Sequence, residues 1–183
     1  LTVLELDVLS DNSVARAIAE AERLNGGAID VLVNNAGINI SGPVEVQDMP
    51  SVQLSFDTNV FGLQRTMRAV LPGMRARKSG LIFNVSSQQG RIIMPGMGVY
   101  SATKFAVESM SEQIAYELAP HGITVNHVGP GWVRSFINDA SPSLQTDEEV
   151  RTTLTLIPAG RPADPRELGR AVVYLASADG DYV

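Results

Sequence analysis

Tyr100 and Lys104 stand four residues apart in a stretch whose apolar residues recur at helical spacing, so both side chains leave one face of a helix a turn apart. An ammonium beside a phenol favours the phenolate, lowering the tyrosine pKa and making the pair a proton donor or acceptor. Ser87 lies thirteen residues before Tyr100 and follows the apolar run Leu81 to Val85. Ligands sit at the carboxyl ends of strands in open parallel sheets, so its hydroxyl is placed to hold a substrate oxygen. A serine there is also an ordinary turn or cap residue, a role that Ser86 can fill beside it. Asn34, Asn35, Ala36 and Gly37 close a second apolar run. Minimal side chains there let a ligand approach the backbone, although Asn and Gly equally form plain turns. Only two of the 14 basic residues are lysines, Lys78 and Lys104, so a chain that otherwise uses arginine keeps a point-charge ammonium beside Tyr100.

Such groups need a frame to bring them together, and the chain alternates short apolar runs with longer amphipathic ones. The runs Thr2 to Val8, Ile29 to Asn34, Leu81 to Val85 and Ile123 to Val128 are nearly continuous in apolar character, as strands covered on both faces are. Ser10 caps a helix to about Leu24, ended by Asn25, Gly26 and Gly27. A long helix begins near Pro50 and carries Leu54, Val60, Phe61, Met67 and Leu71, with Pro72 and Gly73 expected to interrupt or kink it. Another runs from Val99 to Leu118. The last has Asp164 as cap, Pro165 in its first turn and Glu167 at the capping-box position. The Ser, Thr and Pro-rich segment from Phe136 to Pro162 reads as a lid, with a short helix announced by Thr146 and Glu149. This is the βα alternation of a single domain around a parallel sheet, with no internal repeat or linker.

Composition removes whole classes of function. At 183 residues and 44% hydrophobic, the chain has enough for one buried core. A net charge of −6 argues against nucleic acid, since phosphate binding needs clustered basic residues. The run Arg75, Arg77 and Lys78 reads as the basic end of a helix. With no cysteine, disulfides, thiolate metal sites and a cysteine nucleophile are excluded. No metal site is expected: Asp147, Glu148 and Glu149 read as first-turn helix charge, and His121 and His127 lack partners at ligand spacing. No apolar run reaches the ~18 residues of a membrane span. The cysteine-free composition is compatible with a cytoplasmic setting, which is the one expected. Both ends look cut, opening at Leu1 inside an apolar stretch and stopping at Val183.

Taken together, these features resemble the short-chain dehydrogenases/reductases, oxidoreductases on a Rossmann-type fold. Asn34 to Gly37 match the family's N-N-A-G motif, Asn84 to Gly90 its serine motif, and Tyr100 to Lys104 its Y-x-x-x-K. Asn59, in T-N-V-F-G, matches the long-helix asparagine of the catalytic tetrad. Pro130, Gly131 and Val133 match P-G-x-V, and Ser135 stands where the family commonly has threonine. Asp7 and Val8 resemble its acidic pair near adenine. The ordered set spans almost the whole chain and is far more specific than any one motif.

The resemblance implies a doubly wound parallel sheet in a three-layer α/β/α arrangement, lacking the first βαβ unit and the last strand. It implies an NAD or NADP cofactor contacted by Asp7, Val8, Asn35, Ala36, Gly37, Tyr100, Lys104, Pro130, Gly131, Val133 and Ser135. It also implies hydride transfer to or from a carbonyl or secondary alcohol. Tyr100 would move the proton and Ser87 would hold the oxygen. Lys104 would lower the tyrosine pKa and hold the ribose, and Asn59 would fix a relay water. Gln88, Gln89, Met94, Val99 and Trp132 would border the substrate pocket. The helices containing Asn59 and Tyr100 would pair in a homodimer or homotetramer.

The glycine-rich turn that seats the pyrophosphate is absent, and Gly96 and Gly98 do not replace it because no strand precedes them. In the order 3-2-1-4-5-6, Thr2 to Val8 would be strand 3, separated from Ile29 to Asn34 by two strands. A non-catalytic binding or scaffold module is therefore a second reading, against which the intact tetrad argues. A nucleotide-sugar epimerase or dehydratase is a third, disfavoured by the short stretch after Pro130.

Overall fold

In the computed structural model, residues 1–135 and 146–180 are described, and they form two compact units, Leu1–Val128 and Gly129–Val183. The first contains helix α1 (Asp11–Asn25), strand β1 (Val31–Asn34), helix α2 (Met49–Phe56), helix α3 (Gly62–Arg77), strand β2 (Gly80–Val85), helix α4 (Gly98–Leu118) and strand β3 (Ile123–Val128). The second contains helices α5 (Asp147–Thr155) and α6 (Pro165–Leu175).

The three strands form a parallel sheet in the order β1-β2-β3, with Asn34 opposite Asn84 and Asn84 opposite His127. Successive parallel neighbours joined by helices are the 4-5-6 half of the Rossmann order, so the expected α/β class is the one observed. The core lies between this sheet and the helices packed on it. Val70, Met74, Ile82, Val107 and Leu118 are wholly buried, with Val14 and Ile18 of α1 adding the layer behind α3.

Local signals account for both ends of α1 and the start of α6. The Ser10 hydroxyl accepts the Ser13 N–H at 3.2 Å, and Gly26 closes α1 in the left-handed region at φ 72°. In α6 the expected capping box is complete: Asp164 accepts from the Arg166 N–H and Glu167 from the Asp164 N–H, both at 2.8 Å. Arg161, paired with Glu167 at 2.8 Å, and that backbone N–H hold the Glu167 carboxyl at a pKa of about 2.

Two expectations are corrected. Thr2 to Val8 is not a strand, because none of the three strands lies beside it to complete a ladder; Leu1 and Val3 stand exposed. Pro72 does not interrupt α3, which runs on to Arg77 because its buried face, Thr66, Met67, Val70 and Met74, packs on both sides of the proline. The long helix is instead altered earlier, by a π-helical turn over Asp57–Phe61 in which the Gly62 N–H reaches back to the Asp57 carbonyl. The expected lid falls partly on residues 136–145, outside the described residues; beyond them, α5 begins directly after Thr146.

Candidate active site

The carboxyl end of β2 is the centre of the arrangement. Ser87 leaves the strand in extended conformation and heads the short turn Gln88–Gly90, its hydroxyl accepting the Gln89 N–H at 3.2 Å. So Ser87, and not Ser86, is the cap here. The Ser86 hydroxyl points the other way, donating to the Glu108 carboxylate at 2.9 Å. Tyr100 and Lys104 come from the start of α4, a turn apart as their spacing requires, with the Lys104 ammonium 5.6 Å from the Tyr100 ring centre. The Ser87 hydroxyl lies close enough to the Tyr100 phenol to act on its ionisation.

Electrostatics in this state differ from the simple ammonium–phenol expectation. Burial pushes the Tyr100 pKa up, and the Ser87 hydroxyl opposes that rise in part. Lys104 is only 5% exposed, and loss of water lowers its pKa to about 8. Its ammonium donates to the Val85 carbonyl at 2.8 Å, which directs it at the backbone of β2 and not at the phenol. An ammonium has three N–H donors, so this bond leaves two for a ligand.

Asn59 sits in the π-helical turn, 2% exposed. Its amide oxygen accepts the Ile38 N–H at 2.8 Å, and its nitrogen donates to the Ile38 carbonyl at 2.9 Å and to Thr103 Oγ1 at 3.0 Å. Both amide hydrogens are therefore spent on clamping the segment after β1 to α4. A relay water would have to sit on the remaining oxygen lone pair or on the backbone. Gly37 lies in the same corner: a Cβ there would stand 3.3 Å from Asn59 Oδ1 and 3.7 Å from Lys104 Nζ. Below it runs a buried chain of polar groups. Thr66 donates to Asn34 at 2.5 Å, Asn34 to Asn84 at 2.9 Å, and Asn84 to Ser111 at 2.9 Å.

Ser87, Tyr100, Lys104, Asn59 and Gly37 are thus brought together. Asn35 and Ala36 are exposed beside Gly37. Of the pocket candidates, Gln88 is exposed and Met94 half-buried, while Val99 is buried and Gln89 spends its carbonyl on the Ser101 hydroxyl at 2.9 Å. Asp7 is used locally, its carboxylate accepting the Leu9 N–H at 2.9 Å, and the Val8 carbonyl accepts from Arg65 at 3.0 Å. Pro130, Gly131, Trp132, Val133 and Ser135 belong to the second unit, where Val133 bridges Ala163 in parallel and the Trp132 carbonyl accepts the Ala163 N–H at 2.9 Å. Sequence reasoning missed Thr103, the Ile38 clamp and Glu108. Of these only Glu108 carried a readable signal, its spacing of four from Lys104 on one helix face.

A parallel α/β sheet with this polar corner at its carboxyl edge defines the Rossmann-type class of proteins. The profile of the family described as enoyl-(acyl carrier protein) reductase matches residues 1–183. The chain is 35% identical to the 3-oxoacyl-[acyl-carrier-protein] reductase FabG of Vibrio cholerae, over 98% of this chain and 72% of the relative. It is 44% identical to retinol dehydrogenase 8 of Bos taurus over 72% of this chain, a match spanning only 41% of that protein. Among solved structures, a gluconate 5-dehydrogenase from Burkholderia cenocepacia in complex with NADP and tartrate superposes at a TM-score of 0.90 with 33% identity, over 97% of this chain and 69% of that one. The chain belongs to the short-chain dehydrogenases/reductases, a family of oxidoreductases.

Proposed function

We propose that the protein is an NAD- or NADP-dependent oxidoreductase that interconverts a carbonyl compound and a secondary alcohol, with Tyr100 as its general acid and base. The observation that carries this is the convergence of Ser87, Tyr100, Lys104 and Asn59 on one corner at the end of β2. The residues present suit the nicotinamide ribose end of the cofactor. Lys104 has two N–H donors to spare in a buried setting, and at Gly37 no side chain stands between the backbone and Lys104. The cofactor, when bound, supplies or accepts the hydride.

In the reducing direction Tyr100 gives its proton to the carbonyl oxygen while Ser87 donates a hydrogen bond to the same atom, stabilising the negative charge that develops. Lys104, charged below about pH 8, favours the resulting phenolate. Asn59 holds the segment after β1 against α4, so Gly37 and Lys104 keep their spacing. Residues 1–183 act as one cofactor-binding domain, with Asp7, Val8, Asn35, Ala36, Pro130, Gly131, Val133 and Ser135 on the cofactor and Gln88, Gln89, Met94, Val99 and Trp132 toward the substrate. The exposed Phe61 and Phe105 supply apolar surface for pairing the helices in a homodimer or homotetramer.

The test is Tyr100→Phe. Turnover, followed by nicotinamide absorbance, is expected to fall by ~10²–10⁴-fold, the usual share of general acid–base catalysis, while cofactor affinity measured by fluorescence holds. Unchanged turnover would remove Tyr100 from the chemistry.

A further inference from the structure

Glu108 lies one turn beyond Lys104 on α4, on the face that also carries Tyr100. It is 5% exposed, and a carboxylate so deeply buried requires partners. Those partners sit at the two ends of one short segment. Oε1 accepts the Ser86 hydroxyl at 2.9 Å, and Oε2 pairs with Arg91 Nε. Ser86 immediately precedes Ser87. Arg91 closes the turn that Ser87 caps, its N–H bonding the Gln88 carbonyl at 3.0 Å. Gly90 leaves room for this grip: a Cβ there would stand 2.5 Å from Glu108 Oε1 and 2.7 Å from Ser86 Oγ. Two further groups surround the carboxylate, His127 Nδ1 at 3.8 Å from Oε1 and Glu112, which accepts from Arg91 Nη2 at 3.1 Å.

We propose that Glu108 is a positioning residue for the reaction, a staple that grips Ser86 and Arg91 and so holds the intervening Ser87 hydroxyl against the Tyr100 phenol. The proposal rests on the reading of Ser87 and Tyr100 given above. Glu108 touches no reacting atom. Its effect passes through the backbone of residues 86–91, where small displacements are costly because reacting groups work within narrow distances.

The experiment follows the ionisation of Tyr100 by tyrosinate absorbance in the purified protein, without substrate or cofactor. Subtracting the curve of Tyr100→Phe isolates its step from those of the other three tyrosines. Three variants are compared. Glu108→Gln keeps an acceptor for Ser86 and removes the charge facing Arg91. Gly90→Ala keeps every charge and forces the carboxylate and hydroxyl apart. Arg91→Gln keeps a hydrogen-bond donor for the carboxylate on a largely exposed side chain, so it disturbs the interior less than the other two.

Each is expected to move the Tyr100 ionisation upward, since drawing the Ser87 hydroxyl away from the phenol leaves burial unopposed, with Arg91→Gln shifting least. With NADPH and ethyl acetoacetate as probe, Glu108→Gln is expected to lower kcat about tenfold, as misplacement of a reacting group does, with KM for NADPH little changed. Lower melting temperatures with an unmoved Tyr100 ionisation would make Glu108 a purely structural residue and overturn the proposal. If Tyr100→Phe keeps full turnover, or wild type does not reduce the probe, the reading of the reaction is what fails, and the ionisation curves still decide on the staple.

Discussion

The run Leu81 to Val85 and the run Thr2 to Val8 look alike as residues, yet they end in opposite states. The first is laddered on both sides, to β1 and β3, with Ile82, Phe83 and Asn84 fully buried. The second has no ladder partner among the described residues, and side chains hold its backbone instead: the Asp7 N–H donates to Ser13 Oγ at 3.0 Å, and the Val8 carbonyl accepts from Arg65 at 3.0 Å. Apolar β-branched sequence makes a strand possible, and neighbours supplying hydrogen bonds make it real. The catalytic corner is built around the first region. Its polar side chains are drawn from β2, the turn after it, α4 and the π-helical turn, and all of them are in place without a ladder over residues 2–8.

The largest break in that comparison is expected from Lys104→Met. Turnover should fall at least as far as the ~10²-fold typical of a lost acid–base partner, while the fold becomes more stable. The folded-state pKa, about 8 against 10.5 for a free lysine, means that burying the ammonium penalises folding fully below about pH 8. The penalty fades as pH rises from there toward 10.5, because the folded state gives up the proton first. At roughly 1.4 kcal/mol per pH unit the gain at neutral pH is at most ~3 kcal/mol. Urea unfolding at pH 7 and pH 10 checks this, and a variant less stable than wild type at pH 7 would show that the Val85 bond outweighs burial.

Of similar size but opposite sign is Asn59→Ala. It strips partners from the Ile38 N–H and carbonyl and from Thr103, and each buried group left unsatisfied costs ~1–3 kcal/mol before water repairs part of it. A net loss of ~2–3 kcal/mol in urea unfolding is expected on that basis, with activity falling alongside. A loss below about 1 kcal/mol would mean that the clamp is open in solution.

What could be read beforehand follows the range of the physics involved. Ser10, Gly26 and the Asp164–Glu167 box act within a few residues, so the caps of α1 and α6 were legible. Tyr100 and Lys104 were legible for the same reason, since helix geometry alone places them. Asn59 was recognised through its motif, but its contacts were not: Ile38 and Thr103 lie 21 and 44 residues away, and nothing local announces that the amide is spent on them. The continuation of α3 through Pro72 belongs to the same class. A proline's local cost can be read in sequence, whereas the buried residues on either side that override it belong to the tertiary fold. The tyrosine pKa was misjudged for a related reason. Proximity to an ammonium is readable, but burial, the larger cause here, is not.

The smallest effect tests the comparison most directly. Val3 is 92% exposed, so Val3→Ala removes no buried surface, and a change within ~0.5 kcal/mol is expected in urea unfolding of this chain. A valine in a two-sided ladder would instead lose packing on both faces, at ~1–3 kcal/mol by the burial of a few methyl groups. The larger loss would mean that residues 2–8 do find a sheet edge in solution. Val31 and Val33 of β1, each about half exposed on the sheet's open side, are apolar neighbours that a pairing strand would cover. Measuring the loss across a range of protein concentrations separates the sources of that edge: one that grows with concentration comes from a second copy, and one that does not comes from the same chain.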